Sequence, residues 1–209
     1  MKTVILLIDF FGHPIFGGEY INTKRYIEIQ KILTNTRIDK SKLVFAVGGG
    51  WEDPKLCELE RMAKNLDFKF HQYPKDTTFD QLKEQLWLKC NFEMDTKDTQ
   101  IIVGGCNTGG CVIKASKPMC AIDSYIKGYE TTIYLPMCAE YEQPGINDTE
   151  RSMMGFAEVY KQIRDYKAFK IRIETDFNAL NIPMRIKENT KEVMTRVYSV
   201  EPGANGDAV

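Results

Sequence analysis

The chain has 209 residues, enough for one domain with a single well-buried core. Hydrophobic residues make up 43% of the sequence and charged residues 27%, as is typical of globular proteins. The 28 Lys and Arg are balanced by 29 Asp and Glu without a polybasic run, which argues against a nucleic-acid-binding surface. The apolar run at residues 3–8 is too short for a signal peptide or a membrane span. We therefore expect a cytoplasmic protein that binds neither nucleic acid nor membrane.

Strand and helix patterns alternate along the chain. The predicted strands are 3–8, 43–47, 68–73, 100–103, 131–135 and 170–174. The predicted helices are 22–33, a segment beginning at 54, 79–90, 121–127 and a segment beginning at 149. Residues 178–200 fit either a short helix or an edge strand. The alternation predicts a Rossmann-like, three-layer α/β fold with a six-stranded, mainly parallel sheet and helices on both faces. One domain is expected over residues 1–200, followed by a flexible C-terminal tail, 201–209.

A glycine-rich turn follows the fourth predicted strand. Residues 100–112 read Q-I-I-V-G-G-C-N-T-G-G-C-V, which predicts a strand, a turn and a cysteine, Cys111, at the start of a helix. Unpaired backbone N–H groups and the positive end of a helix favour a thiolate there, and the same N–H groups can hold an oxyanion. Cys111 is therefore a candidate nucleophile. The alternative is that it is an inert, small core residue.

Three reactive side chains follow predicted strands. Asp9 follows the first strand, Lys75 the third and Cys111 the fourth. Because ligands bind beyond the carboxyl ends of parallel strands, these residues form a plausible base, charge-stabilising group and nucleophile. Each also has a plain structural alternative: Asp9 as a turn cap, Lys75 as a solvated charge and Cys111 as packing.

Nucleotide and zinc binding fit the sequence poorly. The glycines at 104–110 and 48–50 match neither phosphate-binding pattern. The six cysteines are scattered, and Cys106 and Cys111 only loosely match the spacing of zinc ligands. Without a secretory signal, reduced thiols are expected. We therefore expect no cofactor and no metal.

The sequence resembles the isochorismatase-like cysteine hydrolases, which include nicotinamidases and N-carbamoylsarcosine amidase. The family turn, G-x-x-T-x-x-C-V, is matched by residues 105–112, G-C-N-T-G-G-C-V. The family's first strand ends in the pair I-D, matched by Ile8-Asp9, and its lysine precedes a phenylalanine, matched by Lys75 and Phe79. The likeness covers about residues 2–175 and includes a helix stop at Gly128.

The resemblance implies an Asp9–Lys75–Cys111 triad. Cys111 would attack an electrophilic carbon and form a thioester-type intermediate, Asp9 would shuttle protons, and Lys75 would lower the pKa of the cysteine and orient Asp9. The backbone N–H groups of Asn107 and Cys111 would form the oxyanion hole. The implied reaction is hydrolysis of a C–N bond in a small amide-like molecule. Family members often pair, so a homo-oligomer is implied as well.

The surroundings of the triad depart from the family pattern. Nicotinamidases carry a D-x-H metal motif after the second strand, where this chain has Gly49-Gly50-Trp51. The resemblance therefore implies a metal-independent hydrolase, and nicotinamide is not the expected substrate. A catalytically silent metabolite-binding or interaction protein on the same fold is the alternative.

Aromatic residues follow the first two strands at the same end of the sheet. Phe16 and Tyr20 follow the first strand, and Trp51 follows the second. We expect them to close the substrate pocket, where Trp51 would stack on a planar substrate. Ordinary packing is an equal alternative for Phe16 and Tyr20, and a weaker one for Trp51 between Gly50 and Glu52.

Overall fold

A computed structural model of the chain describes residues 1–11, 23–49, 54–74, 76–106, 111–113, 119–139, 157, 161 and 170–185. The strands, in chain order, are β1 (Lys2–Phe11), β2 (Leu43–Gly49), β3 (Lys69–Tyr73), β4 (Thr99–Cys106), β5 (Glu130–Ala139) and β6 (Arg172–Glu174). The α-helices with described bounds are α1 (Thr23–Thr34), α2 (Pro54–Asn65), α3 (Phe79–Cys90) and α4 (Ala121–Ile126). Short 3-10 helices cover Lys40–Lys42 and Phe177–Leu180.

The strands form one six-stranded sheet in the order β3-β2-β1-β4-β5-β6. Every neighbouring pair of strands is parallel. Strands of such a sheet are buried on both faces, and residues 4–7 of β1 are at most 1% exposed. The predicted three-layer α/β fold with six strands is confirmed.

Two hydrophobic clusters cover the two faces of the sheet. Leu6 points into the cluster that holds the apolar residues of α3 and α4, whereas Leu7 points into the cluster that holds those of α1 and α2. Successive side chains of a strand alternate between faces, so one apolar strand contributes to both layers. Full burial of one such leucine stabilises the fold by about 1.5–3 kcal/mol.

Local signals set the ends of two helices. The Thr78 hydroxyl accepts the Gln81 backbone N–H at 3.2 Å, and the Gln81 side chain accepts the Thr78 backbone N–H at 2.8 Å. This reciprocal capping box satisfies two N–H groups that have no helical partner, and it begins α3 at Phe79. Gly128, at φ +89°, stands just beyond α4, as the predicted helix stop requires.

Three strands continue beyond their predicted apolar segments. β1 runs on to Phe11, β4 to Cys106 and β5 to Ala139. The glycines at 104 and 105 therefore lie inside β4 rather than in a turn. In all three strands, the added residues lie at the carboxyl end of the sheet. In the sequence, Asp9, Gly104 and Pro136 interrupt the apolar runs, and pairing with neighbouring strands carries the structure past these interruptions.

The segment after β6 combines a short helix with a strand contact. Residues Phe177–Leu180 form a 3-10 helix, and Met184 makes an isolated antiparallel bridge with Ile38. The course of the helix predicted from residue 149 and the tail at 201–209 lie outside the described residues. Among the residues that are described, no helix combines the length and apolarity that crossing a bilayer needs.

Candidate functional site

The strand order reverses direction at the centre of the sheet. From β1 the chain proceeds to β2 and β3 on one side, and then returns to β4, β5 and β6 on the other side. The crevice beyond the carboxyl ends of β1 and β4 is therefore a topological switch point, where open α/β sheets bind their ligands. Asp9 lies at this end of β1, and the segment carrying Cys111 leaves from this end of β4.

Asp9 lies in a bulge of β1. Between two paired positions β1 advances from Leu7 to Phe11 while β2 advances only from Val47 to Gly49, so β1 carries two additional residues. Asp9 is half-buried and has φ +44°, a left-handed conformation that is uncommon outside glycine. Bulges re-aim side chains, and strained backbone concentrates at functional sites. The sequence placed Asp9 after the strand; the structure places it within the irregular end of that strand.

The backbones of β1 and β4 come very close beside Asp9. Gly105 pairs with Ile8 and has φ +132°. A Cβ at this position would lie within van der Waals overlap of the Ile8 carbonyl oxygen and 2.7 Å from the Ile8 nitrogen. Only glycine fits this approach and this conformation. Gly105 therefore brings the strand that leads toward Cys111 against the bulge that carries Asp9.

Cys111 is half-buried at the edge of a hydrophobic cluster. Cys111 and Val112 lie in a π-helical turn, a geometry that is often found at functional sites. Val112 and Ile113 are fully buried, and the Ile113 carbonyl accepts the Ile122 backbone N–H at 3.3 Å. These contacts anchor the turn on the face of the sheet covered by α3 and α4, while part of Cys111 stays accessible.

Tyr73 is a residue of this site that the sequence analysis missed. Its ring packs over its register partner Gly48, and its hydroxyl donates to the Leu7 carbonyl at 3.2 Å. Burial raises the pKa of Tyr73 far above its usual range, and the negative charge of Asp9 raises it further. The phenol is therefore protonated. One signal in the sequence could have indicated this contact: an aromatic residue stands at the end of one strand, and a run of glycines, 48–50, stands at the end of the adjacent strand.

Five of the predicted site residues lie outside the described part of the chain. These are Lys75, Asn107, Phe16, Tyr20 and Trp51. The structure thus places Asp9 in the carboxyl-terminal part of β1 and Cys111 shortly after the adjacent strand β4. The triad, the oxyanion hole and the aromatic pocket stay predictions. Within the described ranges, no three His, Cys, Asp or Glu side chains gather as potential metal ligands.

No protein-family model, curated protein or solved structure matches the chain. The observations that bear on the chemistry of this site are therefore the positions of Asp9 and Cys111 and the motif at residues 105–112.

Proposed function

We propose that the protein is a cysteine-dependent hydrolase that cleaves the C–N bond of a small amide-like molecule without a metal ion. The observation that carries the proposal is the position of Asp9, in a strained bulge at the switch point between β1 and β4. Strain at such a position costs about 1–3 kcal/mol and persists where the surrounding structure enforces it. The proposed nucleophile is Cys111, which follows β4 within the motif at residues 105–112.

In the first half of the proposed reaction, Cys111 and Asp9 act together. Asp9 accepts the proton of the Cys111 thiol, and the positive charge of Lys75 stabilises the resulting thiolate. The thiolate Sγ attacks the carbonyl carbon, and the oxyanion is held by the backbone N–H groups of Asn107 and Cys111. The C–N bond then breaks, and Asp9 returns its proton to the leaving nitrogen. The products of this half are an amine or ammonia and a thioester on Cys111.

The second half regenerates the enzyme. Asp9, now a carboxylate, removes a proton from water as the water oxygen attacks the thioester carbon. The C–S bond breaks, which releases the carboxylic acid and the Cys111 thiolate, and the thiolate takes back the proton from Asp9. Trp51, Phe16 and Tyr20 are proposed to enclose the substrate, with a planar group stacked on Trp51.

The test is a screen of small amides, ureas and carbamoyl compounds for ammonia release in the presence of a chelator. Wild-type protein and a Cys57→Ala control, in which an exposed cysteine of α2 is removed, should be equally active. Cys111→Ala should be inactive, since the nucleophile is gone. Ammonia release that survives Cys111→Ala would overturn the cysteine mechanism, and loss of activity in chelator would overturn the metal-free one.

Thiol alkylation separates an enzyme from a silent binding protein on this fold. Near pH 7, iodoacetamide should modify Cys111 much faster than the exposed Cys57, and Lys75→Ala should abolish the difference. Reactivity of Cys111 no greater than that of Cys57 would favour the binding protein.

A further inference from the structure

Tyr73 connects the edge strand β3 to the central strand β1 by passing over β2. The side chain is 4% exposed, and its ring occupies the space above Gly48. A Cβ on residue 48 would lie 2.5–2.7 Å from three atoms of the Tyr73 side chain, so the ring lies there only because residue 48 is glycine. The hydroxyl at the far end of the ring then reaches the Leu7 carbonyl.

The Leu7 carbonyl stands where the regular pairing of β1 with β2 stops. Leu7 pairs with Val47, and the next residue of β1 that pairs with β2 is Phe11. A buried carbonyl needs a hydrogen-bond donor, and Tyr73 supplies one from a strand that is not paired with β1 in the sheet. Since the phenol stays protonated at neutral pH, it remains a hydrogen-bond donor there. The start of the bulge is thus tied to β3 through one hydroxyl, two residues before Asp9.

We infer that Tyr73 is a positioning residue that fixes the β1 bulge through the Leu7 carbonyl and so holds Asp9 where it exchanges protons. The inference rests on the proposed role of Asp9 in the hydrolase reaction. Tyr73 acts through the backbone of β1, so its hydroxyl is not expected to contact the substrate. A small displacement of a catalytic group costs up to about 100-fold in rate, which makes such a role measurable.

The test compares Tyr73→Phe with a matched control, Tyr134→Phe. Both variants keep a buried ring and lose one hydroxyl; Tyr134 is 2% exposed and its hydroxyl donates to Glu28 Oε2 at 2.8 Å, on the face covered by α1. The chromogenic probe is p-nitrophenyl acetate. Its leaving group departs as p-nitrophenolate, so Asp9 takes the Cys111 thiol proton and passes it to bulk water instead of returning it to a leaving group, and it is a carboxylate again when the acetyl thioester has formed. Hydrolysis of the acetyl thioester then needs Asp9 as a base.

Wild-type protein should release a burst of p-nitrophenolate followed by slower turnover, and Cys111→Ala should abolish the burst. Tyr73→Phe should keep the burst amplitude and slow the steady rate by about 10- to 100-fold. Tyr134→Phe should change neither by more than about twofold, because its hydroxyl donates to Glu28 of α1 rather than to the backbone of β1. Equal slowing in both tyrosine variants, or in neither, would overturn the inference.

Amide hydrogen exchange decides the positioning independently of catalysis. Exchange at residues 8–11 should be faster in Tyr73→Phe than in wild type, relative to the central amides of β1, and unchanged in Tyr134→Phe. Unchanged protection at residues 8–11 in Tyr73→Phe would overturn the inference. A wild type without a burst would instead refute the proposed hydrolase, and the exchange data would still show whether Tyr73 holds the bulge.

Discussion

Asp9 keeps a left-handed backbone conformation although it carries a Cβ. Replacement by glycine removes the steric cost of φ +44° and should raise the free energy of unfolding by up to about 1 kcal/mol. The same change removes the proposed proton carrier and should lower turnover by at least about 100-fold. Urea denaturation and ammonia release measure the two effects.

Asp67→Gly is the matched control for Asp9→Gly. Asp67 has φ +58° in the exposed turn between α2 and β3, remote in sequence from the site. Its replacement should give a similar gain in stability without loss of turnover. A clear loss of stability in Asp9→Gly would contradict the predicted gain, because it would mean that side-chain contacts of Asp9 outweigh its backbone strain.

Gly105 and Gly128 share positive φ values but differ in their surroundings. Gly128→Ala meets only ordinary contact with Thr96 Cγ2 at 3.5 Å, so its cost is the conformational one of about 1–2 kcal/mol. Gly105→Ala adds overlap with the backbone of Ile8 and should cost several kcal/mol more, since β1 and β4 must separate. Denaturant midpoints compare the two variants, and equal losses would contradict the close approach of the strands.

Among the elements, β3 and α3 are joined by a partly buried polar contact. His71 is 5% exposed, and its Nε2 lies 2.8 Å from Gln85 Oε1, to which it donates as a neutral imidazole. Burial lowers the pKa of His71 below 6.5 and outweighs the opposing effects of Gln85 and Glu60, while Lys89 lowers it further. The folded protein therefore binds a proton at His71 less readily than the unfolded chain does.

This difference predicts a loss of stability in mild acid. As the pH falls through 6.5, the unfolded chain takes up the proton first, so the free energy of unfolding falls until the lowered native pKa is passed. His71→Gln should lose less stability than wild type between pH 7.5 and 5.5, measured by urea denaturation. Equal losses in both proteins would show that His71 does not carry the effect.

Sequence predicted the elements whose signals are local. The apolar run of β1, the helix at residues 79–90 and the Gly128 stop all have signals within a few residues of the structure they determine. The bulge at Asp9 was not predictable in this way, because it depends on pairing with β2 and on Tyr73, whose hydroxyl contact spans 66 positions. The end of the sheet that carries the site could be predicted from the parallel topology. The role of Tyr73 could not, because its contact with β1 forms only in the folded structure.

In the whole molecule, one sheet separates two hydrophobic layers, one on each of its faces. Leu6→Ala and Leu7→Ala each empty a fully buried position on opposite faces, and each should lower the free energy of unfolding by about 2–5 kcal/mol. Because both layers depend on β1, we expect a single transition in either variant. Far-UV circular dichroism and tryptophan fluorescence should give coincident midpoints; separate midpoints would show that the layers unfold independently.

The strand order also determines when the sheet can be completed during synthesis. β1 is central, and its second neighbour, β4, begins almost 100 residues later, at Thr99. At translation rates of about 5–20 residues per second, that interval lasts roughly 5–20 s. During that interval, one hydrogen-bonding edge of β1, whose residues 4–8 are all apolar, has no partner. Unpaired apolar edges invite association with other chains. The nascent chain is therefore most in need of chaperone protection before β4 has emerged from the ribosome.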